Sequence, residues 1–255
     1  MDLEQTRKKI DEADIRMKEL FLKRLRAADE VVEAKSVTHD SVWQPGREEQ
    51  IYRERMSGVP DGCRREYRLF LENVVRISRE YQYSERLRRD LRFPYSLAEE
   101  PAVTSVAALP GIRAGMAESN GAADAEQKGI TADKSPASRE EKSGQLESAA
   151  RFAAEHGLYL TGICGDRAFL GNQLRSNGKK QLIPALWDGT GIPKLVSALC
   201  VDFGIPAVYA GPAAGGRFFL CFLGDPGERH VQVFLTMLYY ELGGLTIAGT
   251  VETEK

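Results

Sequence analysis

Residues 3–35 contain no glycine or proline, and Leu3, Ile10, Met17 and Val31 recur there at multiples of seven, with Phe21 and Ala28 on a companion stripe. An apolar repeat of that period and length predicts one long helix committed to packing against other helices rather than to a sheet. The same count places charges where such a seam wants leucine: Arg24 falls in the first stripe, and Arg7, Asp14 and Lys35 in the second.

Burying unneutralised cations costs on the order of several kcal/mol each, so seam cations need an anion supplied by the protein or by a ligand. Arg24 and Lys35 are eleven residues apart, close to whole helical turns, which sets them on one face about 16 Å apart. Their long side chains can converge on a small dianion between them. Arg7 lies seventeen residues before Arg24, about 25 Å along a straight helix, beyond the reach of the same metabolite-sized ligand. If Arg7 serves that kind of site, it serves the copy in a second subunit, through antiparallel helix pairing. A homodimer with composite sites follows as an expectation.

Charge composition supports a local anion site over a long-range field. Lys+Arg number 35 against 37 Asp+Glu, a net charge of -2, which gives no general attraction to nucleic acid or to an anionic membrane. No run of about 18 uncharged apolar residues exists and MDLEQTRKKI has no apolar signal core, so the expectation is a cytoplasmic protein without a membrane span. Cys63, Cys164, Cys200 and Cys221 are widely spaced, with no CxxC or Cys/His cluster, which predicts ordinary reduced thiols and no metal site. His39, His156 and His230 are isolated and carry no catalytic expectation.

Two further helices follow. QPGREE looks like a helix start, with Pro45 at the first position and Glu48 in the first turn, and it runs into EEQIYRERM. After the turn at Val59-Pro60-Asp61-Gly62, residues 63–92 carry Tyr67, Phe70, Leu71, Val74, Val75, Ile77 and Tyr81 on an inward face, with Ser78 and Gln82 one turn apart beside it. Arg86, Arg88, Arg89 and Arg92 crowd the end of this helix, where cations suit its dipole.

The expected organisation is a helical domain over residues 1–94, a poorly ordered Ala/Gly/Ser/Pro linker over 95–142 and an α+β domain over 143–255. From Leu182 the order reads β-α-β-β-α-β, the ferredoxin-like arrangement of an antiparallel sheet with two helices on one face.

The segments RKKIDEADIRMKELFLKRLRAADEVVEAK, QPGREEQIYRER and LFLENVVRISREYQ resemble the all-helical chorismate mutases over roughly residues 3–90. The resemblance implies an all-α three-helix domain forming an intertwined dimer, with no cofactor. It also implies residue roles. Arg24 and Lys35 would contact substrate carboxylates, with Lys35 donating to the ether oxygen of the breaking bond, and Arg7 would reach into the neighbouring subunit's site. Gln82 would be the second donor to that ether oxygen, Ser78 a carboxylate contact, Glu48 the acceptor for the ring hydroxyl and Arg47 a residue that orients the others. Gln44 stands where an acidic residue is common, a departure on the hydroxyl side.

Such a reaction suits the residues. Chorismate is a dianion, and its rearrangement to prephenate needs no nucleophile, metal or cofactor, only a compact conformer and stabilised charge on the ether oxygen. No GxSxG, HExxH, P-loop or dinucleotide fingerprint is present.

The C-terminal domain resembles ACT-type regulatory domains in WDGTGIPKLVSALCVDFGI and LTIAGTV, which implies an aromatic amino acid effector. A dimer-extending or partner-binding domain without ligand is the competing expectation there. For the helical domain, an isochorismate pyruvate-lyase of the same fold and a non-catalytic dimerisation module for another enzyme stay open.

Overall fold

The computed structural model describes residues 2–109, 130–131, 136–164 and 166–254. Its internal contacts divide the chain into two units, residues 1–92 and 93–255.

The first unit is three helices. Helix α1 spans Leu3–Thr38, 36 residues or about 54 Å of axis, started by the Asp2 carboxylate accepting from the Glu4 amide at 3.1 Å. His39, in the left-handed region at φ 58°, ends it. Helix α2 spans Pro45–Arg55 with proline at its first position, where no amide is needed. A 3-10 turn at Asp61–Cys63 leads into α3, Arg64–Arg89.

Polar ties join α3 to α1: the Tyr81 hydroxyl donates to the Asp29 carboxylate at 2.9–3.0 Å, and the Ser36 hydroxyl donates to Asp90 at 3.1 Å. The apolar stripes divide differently from expectation. Ala28 and Val32 of α1 and Leu71 and Val75 of α3 are buried, whereas Leu3, Ile10, Met17 and Val31 remain 42–64% exposed on the single chain. Phe70 and Ile77, expected inward, are also exposed.

The second unit mixes sheets and helices. Its elements are β1 (Leu97–Ala98), β2 (Val103–Ala108), β3 (Ile130–Thr131), α4 (Pro136–Glu155), β4 (Tyr159–Cys164), β5 (Arg167–Gly171) and β6 (Leu174–Arg175). Then come β7 (Gln181–Trp187), α5 (Lys194–Phe203), β8 (Ala207–Pro212), β9 (Phe218–Gly224), α6 (Arg229–Glu241), β10 (Leu245–Ile247) and β11 (Val251–Glu254). The main sheet has the order β3-β11-β7-β9-β8, with β10 also on β7, and the pairs from β10 and β11 across to β8 are antiparallel. A smaller sheet has the order β2-β5-β4, and β1 pairs with β6 in parallel.

Alternation along the central strands distributes the core. Leu182 and Leu186 of β7 and Phe219 and Cys221 of β9 join Leu146, Ala149, Ala150 and Ala153 of α4 in one cluster. On the opposite face Phe222 of β9 meets Phe234 of α6 edge to face at 5.0 Å, and Phe203 of α5 meets the same ring at 6.3 Å. The main sheet is therefore covered on both sides, α4 adding to the two helices expected on one.

Two expectations about the middle of the chain need correction. Residues 97–98 and 103–108, read as linker from their composition, are strands, because β2 needs only one buried side chain, Ala107, and draws its order from the β5 ladder. Phe93 and Tyr95 belong with the second unit, where Tyr95 packs against Tyr159 and Tyr239. Residues 110–129 and 132–135 of that stretch lie outside the described residues. Among the described residues no helix is long and apolar enough to cross a membrane.

Candidate functional site

Three backbone carbonyls organise the polar side chains of the first unit. The Arg24 guanidinium donates from Nη1 to the Val74 carbonyl at 3.3 Å, and the Ser78 hydroxyl donates to that same oxygen at 3.0 Å, so α1 and α3 meet there through a shared acceptor. Lys35 donates from Nζ to the Val42 carbonyl at 2.8 Å, tying the end of α1 to the connection that follows it. Gln82 donates from Nε2 to the Ser78 carbonyl at 3.2 Å.

The buried stripe of α3 explains why these side chains face inward. Leu71 and Val75 continue at helical spacing into Ser78, which is 3% exposed, then Gln82 and Arg86. Ser78 and Gln82 thus stand in the stripe, where the sequence reading set them beside it. The Gln82 Oε1 is buried with no hydrogen-bond partner among the described residues.

Glu48 enters from the first turn of α2. Both of its carboxylate oxygens accept from Arg79 Nη1 of α3, at 2.6 and 2.5 Å, in an ion pair whose side chains are 11% and 15% exposed. Burial lowers the pKa of Arg24, and the charges of Glu48 and Tyr52 oppose that shift. Lys35 is also lowered, first by burial and then by Arg86, against the opposing charges of Asp40 and Glu48. Glu48 acts on both cations, so Arg24, Lys35, Glu48 and Arg79 form one half-buried cluster.

Arg86 is a correction to the sequence reading. It is 4% exposed rather than a solvated cation at a helix end, donating from Nε to Asp90 at 2.8 Å and from Nη1 to the Asp40 carbonyl at 3.1 Å. Burial raises the pKa of the Tyr52 phenol, with Glu48 adding to the rise and Arg79 opposing it. Arg79, Arg86 and Tyr52 are the members of the cluster that sequence reasoning missed.

Other anticipated residues stay apart from it in the single chain. Gln44 is exposed at the start of α2, where its carbonyl, not its side chain, receives the amides of Arg47 and Glu48. Arg47 is exposed and donates to Gln50 Oε1 at 2.9 Å, along its own helix. Arg7 is exposed on the first turns of α1.

A groove lies elsewhere on the unit, between α2 and the start of α3, and shares only Tyr52 with the cluster. Its cations already have acids: Arg53 with Glu49 at 3.5 Å, Arg64 with Asp61 at 3.8 Å and Arg68 with Glu72 at 2.6 Å. That groove lacks the unbalanced positive charge a dianion needs. The Arg24/Lys35 cluster has it, together with amide and hydroxyl donors around it, an arrangement suited to binding and polarising an anion.

Comparison with known families agrees with the helical geometry. Residues 6–83 match the family model for chorismate mutase type II, so the match falls within the three-helix unit and leaves the second unit unassigned. Comparisons with curated proteins and with solved structures return no match.

Proposed function

We propose that the N-terminal unit, whose sequence matches chorismate mutase type II, converts chorismate to prephenate by electrostatic stabilisation without covalent catalysis. The observation that carries this reading is the half-buried pair Arg24 and Lys35, of which Arg24 is joined through the Val74 carbonyl to Ser78 and, one turn on, to Gln82. Arg24 and Lys35 bind the two carboxylates. Lys35 and Gln82 also donate to the ether oxygen as charge grows there. Each of these donors now holds a backbone carbonyl, Val42 for Lys35 and Ser78 for Gln82, so substrate replaces one acceptor by another.

Ser78 contacts a carboxylate and Glu48 accepts from the ring hydroxyl, with Gln44 and Arg47 on the same side. Holding the dianion in its compact conformer lowers the entropic part of the barrier, and the two donors lower the electrostatic part. Arg7 completes the site of a second copy. The exposed stripe of Leu3, Ile10, Met17 and Val31 supports a homodimer built on α1.

For the second unit we propose a ferredoxin-like, ACT-type regulatory role with an aromatic amino acid as effector. Its support is the strand order β11-β7-β9-β8, antiparallel throughout, with α5 and α6 as crossovers.

Loss of chorismate absorbance on mixing with the protein tests the catalytic reading. Losing one donor of this kind removes on the order of 3 kcal/mol of barrier stabilisation, so Lys35→Ala and Gln82→Ala each lower kcat about a hundredfold or more. Near wild-type rates in either variant refute the site. A folded wild type that turns over isochorismate and not chorismate makes the unit a pyruvate-lyase.

A further inference from the structure

The ion pair between Glu48 and Arg79 is placed unusually for a structural link. It joins α2 to α3 beside two cations that the proposed substrate needs, and both partners are largely shielded from solvent, at 15% and 11% side-chain exposure. A carboxylate in such a position has a choice of partners. The charge of Glu48 is felt at both Arg24 and Lys35, each about half-buried, where attraction is less screened than at the surface. Left without Arg79, Glu48 is drawn to those cations and neutralises part of the field that a dianion would enter.

We infer that Arg79 is a positioning residue that holds Glu48 away from Arg24 and Lys35, leaving both cations to the substrate while Glu48 keeps an oxygen lone pair for the ring hydroxyl. The inference rests on the proposed mutase reading. The geometry serves it directly, because Arg79 Nη1 donates to both carboxylate oxygens of Glu48 and so fixes the carboxylate against α3. Arg79 comes from the residue after Ser78 on α3, so the helix that presents Ser78 and Gln82 also anchors the α2 carboxylate.

The test is steady-state chorismate turnover by the full chain carrying Arg79→Met, Arg79→Lys, Glu48→Gln and the Glu48→Gln/Arg79→Met pair, with melting temperatures alongside. Arg79→Met raises KM about tenfold with a smaller change in kcat, the signature of lost ground-state binding. Arg79→Lys, which keeps the charge, restores KM to within about threefold of wild type. In the Glu48→Gln background Arg79→Met adds less than about twofold, because the competing carboxylate charge is gone.

An unchanged KM in Arg79→Met, or an equal rise in both backgrounds, overturns the inference. So does a fall in kcat and melting temperature at constant KM, which marks a purely structural tie. If Arg79→Met fails to fold, a KM in Arg79→Lys raised as much as tenfold overturns it, and one near wild type upholds it. A wild type without chorismate turnover overturns the mutase reading itself, and this inference with it.

Discussion

Lys35 is the residue through which pH acts on the proposed chemistry, since only its ammonium form can donate and carry charge. Burial and the neighbouring Arg86 lower its pKa from the ordinary 10.5, more than Asp40 and Glu48 raise it. The free protein therefore loses that proton as pH rises through a value below 10.5. The expected outcome is an alkaline limb in kcat/KM below the ordinary lysine range, with kcat holding to higher pH because the bound dianion restores the proton's affinity. Coincident limbs above pH 10.5 in both profiles contradict this role for Lys35. Stability has the opposite sign: the unfolded chain binds the Lys35 proton more tightly, so Lys35's contribution to stability rises with pH between its folded and unfolded values while activity falls. Spacing made Arg24 and Lys35 legible as one face of α1, and Ser78 and Gln82 as neighbours on α3, because helical period sets which residues share a face, while only the family resemblance joined the two pairs. Arg79 and Arg86 were illegible as site residues for a physical reason. Their partners, Glu48 and the Asp40 carbonyl, lie 31 and 46 positions away, and for Arg86, in the last turn of α3, the helix dipole already offers an ordinary explanation.

At the scale of elements, α1 carries the clearest unfinished surface. Its stripe is 42–64% exposed at Leu3, Ile10, Met17 and Val31, and Arg7 lies on the same helix, remote from the cluster of its own chain. If a second α1 covers the stripe and brings Arg7 to the site, Arg7→Ala and Lys35→Ala are each inactive alone yet complement each other. Random exchange puts half the chains' dimers in mixed pairs with one intact site each, so about a quarter of wild-type activity returns on mixing after subunit exchange. No regained activity under verified exchange refutes the composite site. The three helices were readable because α1 runs without glycine or proline on an apolar seven-residue repeat, Pro45 starts α2 and the Pro60 turn precedes α3. Strand β2 was not, since VTSVAA buries one residue and its ladder partner β5 is about sixty positions distant.

At the scale of the whole chain, a helical unit that matches a family model is followed by a second unit that the match does not reach. The proposed effector reading predicts that phenylalanine, tyrosine or tryptophan raises the melting temperature of the full chain and alters its chorismate turnover. The absence of both effects for all three amino acids refutes it. The succession of strands and helices from Leu182 onward was legible in alternating β and α patterns, whereas the packing of α4 was not, because a helix rich in alanine announces burial without naming the face it covers. That covering has a consequence for assembly. With helices on both faces, the main sheet offers a second copy only its margins. One margin is β8, whose register breaks between Ala207 and Tyr209 and whose last residue is Pro212, two features that discourage strand addition. Strand addition at β8 is thus disfavoured, and among the described residues the exposed stripe of α1 is the apolar surface on which the proposed self-recognition would rest.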